Sequence, residues 1–113
     1  MIITRKQLVD TRACKEGLEF FDKHFPAGEG TQEEVFEAIA KYAPTTSWQR
    51  WLALELRLTA TCRTWYPDGK PREEENYVAG NLHGIRRYWY ANGKLWEEIW
   101  EDGVRISIGG SQC

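Results

Sequence analysis

The residues that could do chemistry are three cysteines, two histidines and two short runs of glutamate. Cys14, Cys62 and Cys113 are far apart, and neither they nor His24 and His83 show a C-x-x-C or H-x-x-x-H spacing. A metal site needs such spacing to bring its ligands together, so no metal is expected. Cys14 falls in an apolar helical stripe and Cys62 in an alternating strand pattern, where a thiol is expected to be buried and inert. Glu73-Glu74-Glu75 and Glu97-Glu98 could suggest paired acid/base carboxylates. Successive strand residues point to opposite faces, however. With Arg63, Arg86 and Arg87 nearby, structural ion pairs are expected instead. No Gly-rich loop joins a strand to a helix, so no nucleotide site is expected. The chain is expected to be no enzyme and to need no cofactor.

Arg86-Arg87 among aromatics could stack single-stranded bases. A formal charge of −2 and the neighbouring glutamates oppose a nucleic-acid partner. The chain has no apolar run of membrane-spanning length and no polybasic cluster, and MIITRKQLVD lacks a signal-peptide core, so no membrane association is expected. Three widely spaced cysteines fit a reducing cytoplasm.

The elements that must hold these residues fall into two kinds. To about residue 57 the periodicity is helical. A short helix can begin after Thr4. Cys14, Leu18, Phe21 and Phe25 form one helical face, which Pro26 and Gly28 end. Thr31 and Glu34 form a capping box for a helix carrying Val35, Phe36, Ile39 and Ala43, stopped by Pro44. Ser47 is the expected N-cap of a further helix with Trp48, Trp51 and Leu52. Leu52 to Cys62 also alternates as a strand would; helix to about Leu56 and strand from about Leu58 resolve the conflict.

From Arg63 the chain repeats itself. Trp65-Tyr66 matches Trp89-Tyr90, Asp68-Gly69-Lys70 matches Asn92-Gly93-Lys94, and Glu73-Glu74 matches Glu97-Glu98, at an offset of 24. Gly80 matches Gly103 at 23, so the second copy has lost a residue. Such a period marks a repeat architecture. These residues, with Leu82-His83-Gly84 between the copies, resemble the MORN-variant repeat over residues about 61–108. The resemblance implies antiparallel hairpin meanders and no common active site. Some proteins of that family are labelled antitoxins of toxin–antitoxin pairs. Ala13 to Leu18, with Trp48, Trp51 and Leu52, loosely resembles small helical modules of phage and prophage proteins.

The expected fold is α+β: N-terminal helices over residues 1–57, packed on a C-terminal meander of about five strands over 58–113, the two together one compact domain. Each turn glycine supplies the positive φ of a hairpin loop. A two-residue loop would pair Tyr90 with Leu95. A three-residue loop would pair Tyr88 with Trp96, Arg87 with Glu97, Arg86 with Glu98 and Ile85 with Ile99, and its charge pairs favour it. Ile85, Trp89, Leu95 and Ile99, with Trp65 and Tyr77, are then the expected core face under the helices. Tyr66, Tyr88, Tyr90, Trp96 and Trp100, with Arg86, Arg72, Glu74 and Glu98, form the other face. Tyr, Trp and Arg are enriched in binding hot spots. Tyr66, Arg86, Tyr88, Tyr90, Trp96 and Trp100 are therefore either a partner-binding surface or shielding for a thin sheet. The leading expectation is a small cytoplasmic protein-binding module that occludes or scaffolds a protein partner, antitoxin-like, immunity-like or a phage-encoded inhibitor of a host defence. The alternative is a structural protein that forms homodimers through its aromatic face.

Overall fold

The computed structural model describes residues 1–112, with side chains through Ile106. Cys113, with any role for it, lies outside the described residues. The protein forms two compact units, Met1–Ala43 and Pro44–Cys113. The division expected after residue 57 falls inside the second unit, whose helix joins its sheet.

In the first unit, β1 (Ile2–Thr4) pairs antiparallel with β2 (Glu29–Thr31). Around this pair come α1 (Arg5–Asp10), α2 (Lys15–His24) and α3 (Gln32–Tyr42), and Ile3, Leu8, Phe21, Val35 and Ile39 are buried. Thr31 and Glu34 form the expected capping box, and Thr4 and Gln7 form another. Cys14 departs from expectation: it is exposed. It precedes α2 as its N-cap, and its Sγ accepts a hydrogen bond from the Gly17 N–H at 3.4 Å. A capping residue sits outside the helical turn it caps, so the stripe begins at Leu18.

In the second unit, α4 (Trp48–Glu55) leads into a meander in which chain neighbours are sheet neighbours: β3 (Ala60–Trp65), β4 (Pro71–Val78), β5 (Asn81–Trp89), β6 (Leu95–Glu101) and β7 (Val104–Gln112). The Gly109–Gln112 stretch is backbone of β7, paired with β6. Ser47 precedes α4, but its side chain makes no cap bond.

Both copies fold alike. Gly69 and Gly93 adopt φ near +90° in loops closed by Tyr66 N–H to Lys70 O and Tyr90 N–H to Lys94 O, each at 2.8 Å. This is the three-residue loop, and β5–β6 adopts every pairing expected of it. Each copy then closes on a residue pair of positive φ, Ala79-Gly80 and Asp102-Gly103. The closing glycine N–H donates to a leucine at the start of its copy, Gly80 to Leu58 O and Gly103 to Leu82 O.

The copies differ by one residue, and the structure locates it. Trp65 pairs with Pro71 and Thr64 with Glu73, so Arg72 is bypassed in a bulge. At the same place in the second copy, Trp89 pairs with Leu95 and Tyr88 with Trp96, with no residue skipped. Beyond the bulge, Glu74, Glu75 and Tyr77 are therefore equivalent to Glu97, Glu98 and Trp100.

The bulge overturns part of the expected face assignment, because one extra residue exchanges the faces of everything after it. Tyr77 and Glu75 share a face with Arg86, Tyr88 and Trp96, whereas Glu74 lies on the opposite face with Arg87. The face expected to be buried is also inverted. Cys62 and Tyr77 are buried as expected, but they lie with buried Thr64, Glu75 and Glu98 on the Arg86 face, while Ile85 and Ile99 are exposed. Helix α4 packs on β3 on the Arg86 face, where the Cys62 thiol donates to Gln49 O at 3.4 Å and Leu52, Ala53 and Leu58 are buried. The physical reason is volume: Ala60, Cys62 and Thr64 are small and leave room for a helix.

Candidate functional site

The six residues expected to bind a partner share one face of the sheet. β5 carries Arg86 and Tyr88 there. β6 carries Trp96, Glu98 and Trp100 opposite them, because Tyr88 pairs with Trp96 and Arg86 with Glu98. Tyr66 and Tyr90 stand at equivalent positions before the two loops. Arg86, Tyr88, Trp96, Trp100 and Tyr66 are half-buried, and Tyr90 is 45% exposed.

An ion cluster underlies the rings. Arg86 Nε meets Glu75 Oε2 at 2.8 Å, and Arg86 Nη1 meets Glu98 Oε1 at 3.2 Å. Glu75 and Glu98 are equivalent positions of the two copies, so one arginine joins the repeats. Their exposures are only 3% and 7%. The Trp100 indole N–H donates to Glu98 Oε1 at 3.0 Å, and the Trp96 indole N–H donates to Glu98 Oε2 at 3.1 Å. Arg105 on β7 lies 3.5 Å from Glu98 Oε2, and Arg50 on α4 lies 3.8 Å from Glu75 Oε1. Burial disfavours the Glu98 carboxylate, but the two indoles and Arg86 outweigh it, and its pKa falls below the usual range. Burial likewise opposes the Arg86 charge, and Glu75 and Glu98 outweigh it, raising its pKa. Glu98 is thus an acceptor with both oxygens engaged, and the two indoles are held by the same carboxylate.

The tyrosines are tied in as well. Tyr66 donates its hydroxyl to Trp89 O at 2.6 Å, which links the two copies. Burial, then its hydrogen bond with Tyr88, raises the Tyr66 pKa. Tyr88 and Tyr90 meet edge to face with centroids 5.1 Å apart. Burial and the Glu75 charge push the Tyr77 hydroxyl up, and the same two causes push the Cys62 thiol up to about 12.

The opposite face carries a second row of ion pairs. Arg87 Nη1 meets Glu74 at 2.7 Å and Arg87 Nε meets Glu97 at 2.8 Å, while Arg63 meets Glu74 at 3.3 Å. The expected pairing of the glutamate runs with Arg63, Arg86 and Arg87 is therefore observed.

Sequence reasoning missed Arg50 and Arg105, and it did not single out Glu75 from its run as the partner of Arg86. The shortened offset between Gly80 and Gly103 was the available signal for Glu75, since it makes Glu75 and Glu98 equivalent. Arg105 reaches Glu98 only through a register shift between Ile99 and Trp100 on β6, for which no residue pattern gives notice. Among the described residues, no three His, Cys, Asp or Glu gather as a metal-ligand set, and no helix is long and apolar enough to cross a membrane.

Comparison with curated proteins gives no match, and comparison with solved structures gives none either. Residues 58–79 and 82–99 match the family described as MORN repeat variant, each match beginning at the leucine whose carbonyl accepts from its copy's closing glycine, so the matched stretches fall on the hairpins β3–β4 and β5–β6.

Proposed function

We propose that this protein is a protein-binding module that contacts its partner through Tyr66, Arg86, Tyr88, Tyr90, Trp96 and Trp100. MORN repeats are generally associated with binding modules. The carrying observation is the contrast between equivalent positions of the two copies. In the first copy, Cys62, Thr64 and Tyr77 are buried on the face that α4 packs against. In the second, the same positions hold Arg86, Tyr88 and Trp100, which are only partly buried. Larger residues with polar tips stand where no helix of this unit packs. Rigid rings lose little conformational freedom on binding, and Tyr, Trp and Arg dominate interface energetics. In its finer form the proposal is a cytoplasmic occluding protein, antitoxin-like, immunity-like or a phage-encoded inhibitor, that acts by covering a partner's surface rather than by catalysis.

The test is affinity capture of the partner, then titration with a Tyr88→Ala/Tyr90→Ala variant. Hot-spot truncation costs about 2 kcal/mol or more, so a roughly thirtyfold loss of affinity is expected. A folded double variant that binds with unchanged affinity overturns the proposal. Trp96→Ala and Trp100→Ala are poorer probes, since each also removes a donor to Glu98.

A further inference from the structure

On the face opposite these rings, Ile85, Arg87 and Trp89 of β5 pair across the ladder with Ile99, Glu97 and Leu95 of β6. Ile85 and Ile99 are 38% and 43% exposed although β5 and β6 are interior strands of the sheet. A solvated sheet face ordinarily carries polar residues, so an exposed isoleucine pair at its centre calls for a cover. Val78 on β4 and Val104 on β7 extend the exposed apolar surface on either side. The charges among these residues are already balanced, two against two, because Arg87 bonds both Glu74 and Glu97 and Arg63 bonds Glu74. Covering them leaves no lone buried charge.

We propose that this face is a homodimer interface, covered by a second copy of the chain about a two-fold axis running along the strands between β5 and β6. Self-complementarity selects this occupant. Each cross-strand pair on the strip joins apolar to apolar or positive to negative. A two-fold between the strands lays each residue over its own cross-strand neighbour in the second copy. Ile85 then covers Ile99, Arg87 covers Glu97 and Trp89 covers Leu95, and the reverse holds for the other copy. An in-plane axis across the strands through the charged row would lay Arg87 on Arg87 and Glu97 on Glu97. The favoured axis keeps the strands of the two sheets nearly aligned, which is the common geometry of stacked sheets, and it makes a closed isologous dimer. The interface is separate from the aromatic face, so the two proposals stand or fall independently.

The test is sedimentation of the full chain over a concentration series, for the wild type, Ile85→Lys and Ile99→Glu. The wild type forms a dimer that dissociates on dilution. Each variant weakens its own dimer by roughly tenfold or more, because an introduced charge meets an isoleucine across the axis. Mixing the two variants restores dimers, because the introduced lysine then faces the introduced glutamate. A wild type that stays monomeric throughout overturns the proposal. Variants that dimerise as the wild type does also overturn it, and so does a mixture that stays monomeric. Circular dichroism checks that the variants keep their fold. If the charged variants lose it, the β-branched Ile85→Thr and Ile99→Thr carry the test, with weakened dimerisation expected and unchanged dimerisation overturning the proposal.

Discussion

Replacing Glu98 with glutamine tests whether the cluster beneath the aromatic face holds the second copy together. Glutamine matches glutamate in size and removes one charge and one acceptor. In the native structure Oε1 accepts from Trp100 and Arg86, and Oε2 accepts from Trp96 and lies near Arg105. An amide offers one oxygen and one donor group. Whichever way it turns, its NH2 faces an indole N–H and an arginine, donor against donor. Losing a hydrogen bond to a charged group costs about 1.5–3 kcal/mol, and breaking a buried pair by removing one partner costs about 3–5 kcal/mol. Glu98 is nearly enclosed and Arg86 mostly so, which places Glu98→Gln near 3–5 kcal/mol. At about 4 °C per kcal/mol, the thermal midpoint falls by roughly 12–20 °C. Thermal unfolding followed by tryptophan fluorescence measures this, since Trp96 and Trp100, the rings attached to Glu98, are two of the chain's six tryptophans. The pH profile gives an independent check. The folded-state pKa of Glu98 is depressed, so its contribution is fully present above the unfolded value, about 4.3. It is lost as pH falls below that value toward the folded pKa. The wild type therefore loses stability over that acid range more steeply than Glu98→Gln. A midpoint change under about 4 °C, the size expected of an exposed pair, would refute the reasoning.

Two further outcomes follow from single residues. Cys14 is exposed while Cys62 is buried with its thiol pushed up to about 12, so mapping of a thiol reagent at pH 8 finds Cys14 modified quickly and Cys62 only under denaturant; rapid labelling of Cys62 in the folded protein contradicts its place under α4. Gly80 and Gly103 share φ +82°, but a Cβ on Gly80 would lie 2.9 Å from the Arg57 backbone and one on Gly103 only 3.7 Å from Asn81; Gly80→Ala therefore costs more stability than Gly103→Ala, with backbone strain alone contributing about 1–3 kcal/mol to each, and equal denaturation midpoints for the two count against the close approach.

The parts legible in the sequence are those in which local chemistry and long-range pairing agree. Asn92-Gly93 fixes a loop, and the pairs Arg86/Glu98, Arg87/Glu97 and Ile85/Ile99 choose its length, so the β5–β6 register follows from residue types. The gathering of all six aromatic-face residues on one side follows from that register. The first copy was legible only up to its loop. Arg72 looks like an ordinary strand residue, and nothing in its type says that the ladder bypasses it, so alternation places Tyr77 and Glu74 each on the other's face. Burial was illegible for another reason. The choice of covered face depended on aliphatic content, yet α4 follows small side chains on β3, and the aliphatics lie two and three strands away. Cys14 fits a helical stripe by spacing, and spacing cannot distinguish the first turn from the residue that caps it. The β1–β2 pair is three residues on each side, too short to show a period.

The copies also differ in how many glutamates they carry, because Glu73 of the first stands where the second has Trp96. In the first copy, a slip of β4 that moves Glu74 to Arg86 and Glu73 to Arg87 would still pair each arginine with a glutamate. Ion pairs alone do not reject that slip, although they reject the opposite one, which would set Asn76 beside Arg86. Tyr77 rejects it, since a slip would carry its buried ring to the opposite face and leave Cys62 and α4 without it. In the second copy a slip in either direction would set Trp96 or Ile99 where a glutamate belongs, so Glu97 and Glu98 select the register themselves. The first copy thus needs packing to fix it, and the second is fixed by charge. That division matches their surroundings, because packing against α4 is available only to the first. The rings of the second copy can stand partly in solvent and still hold fixed positions, because their carboxylate anchor is set by Arg86 and not by a covering helix.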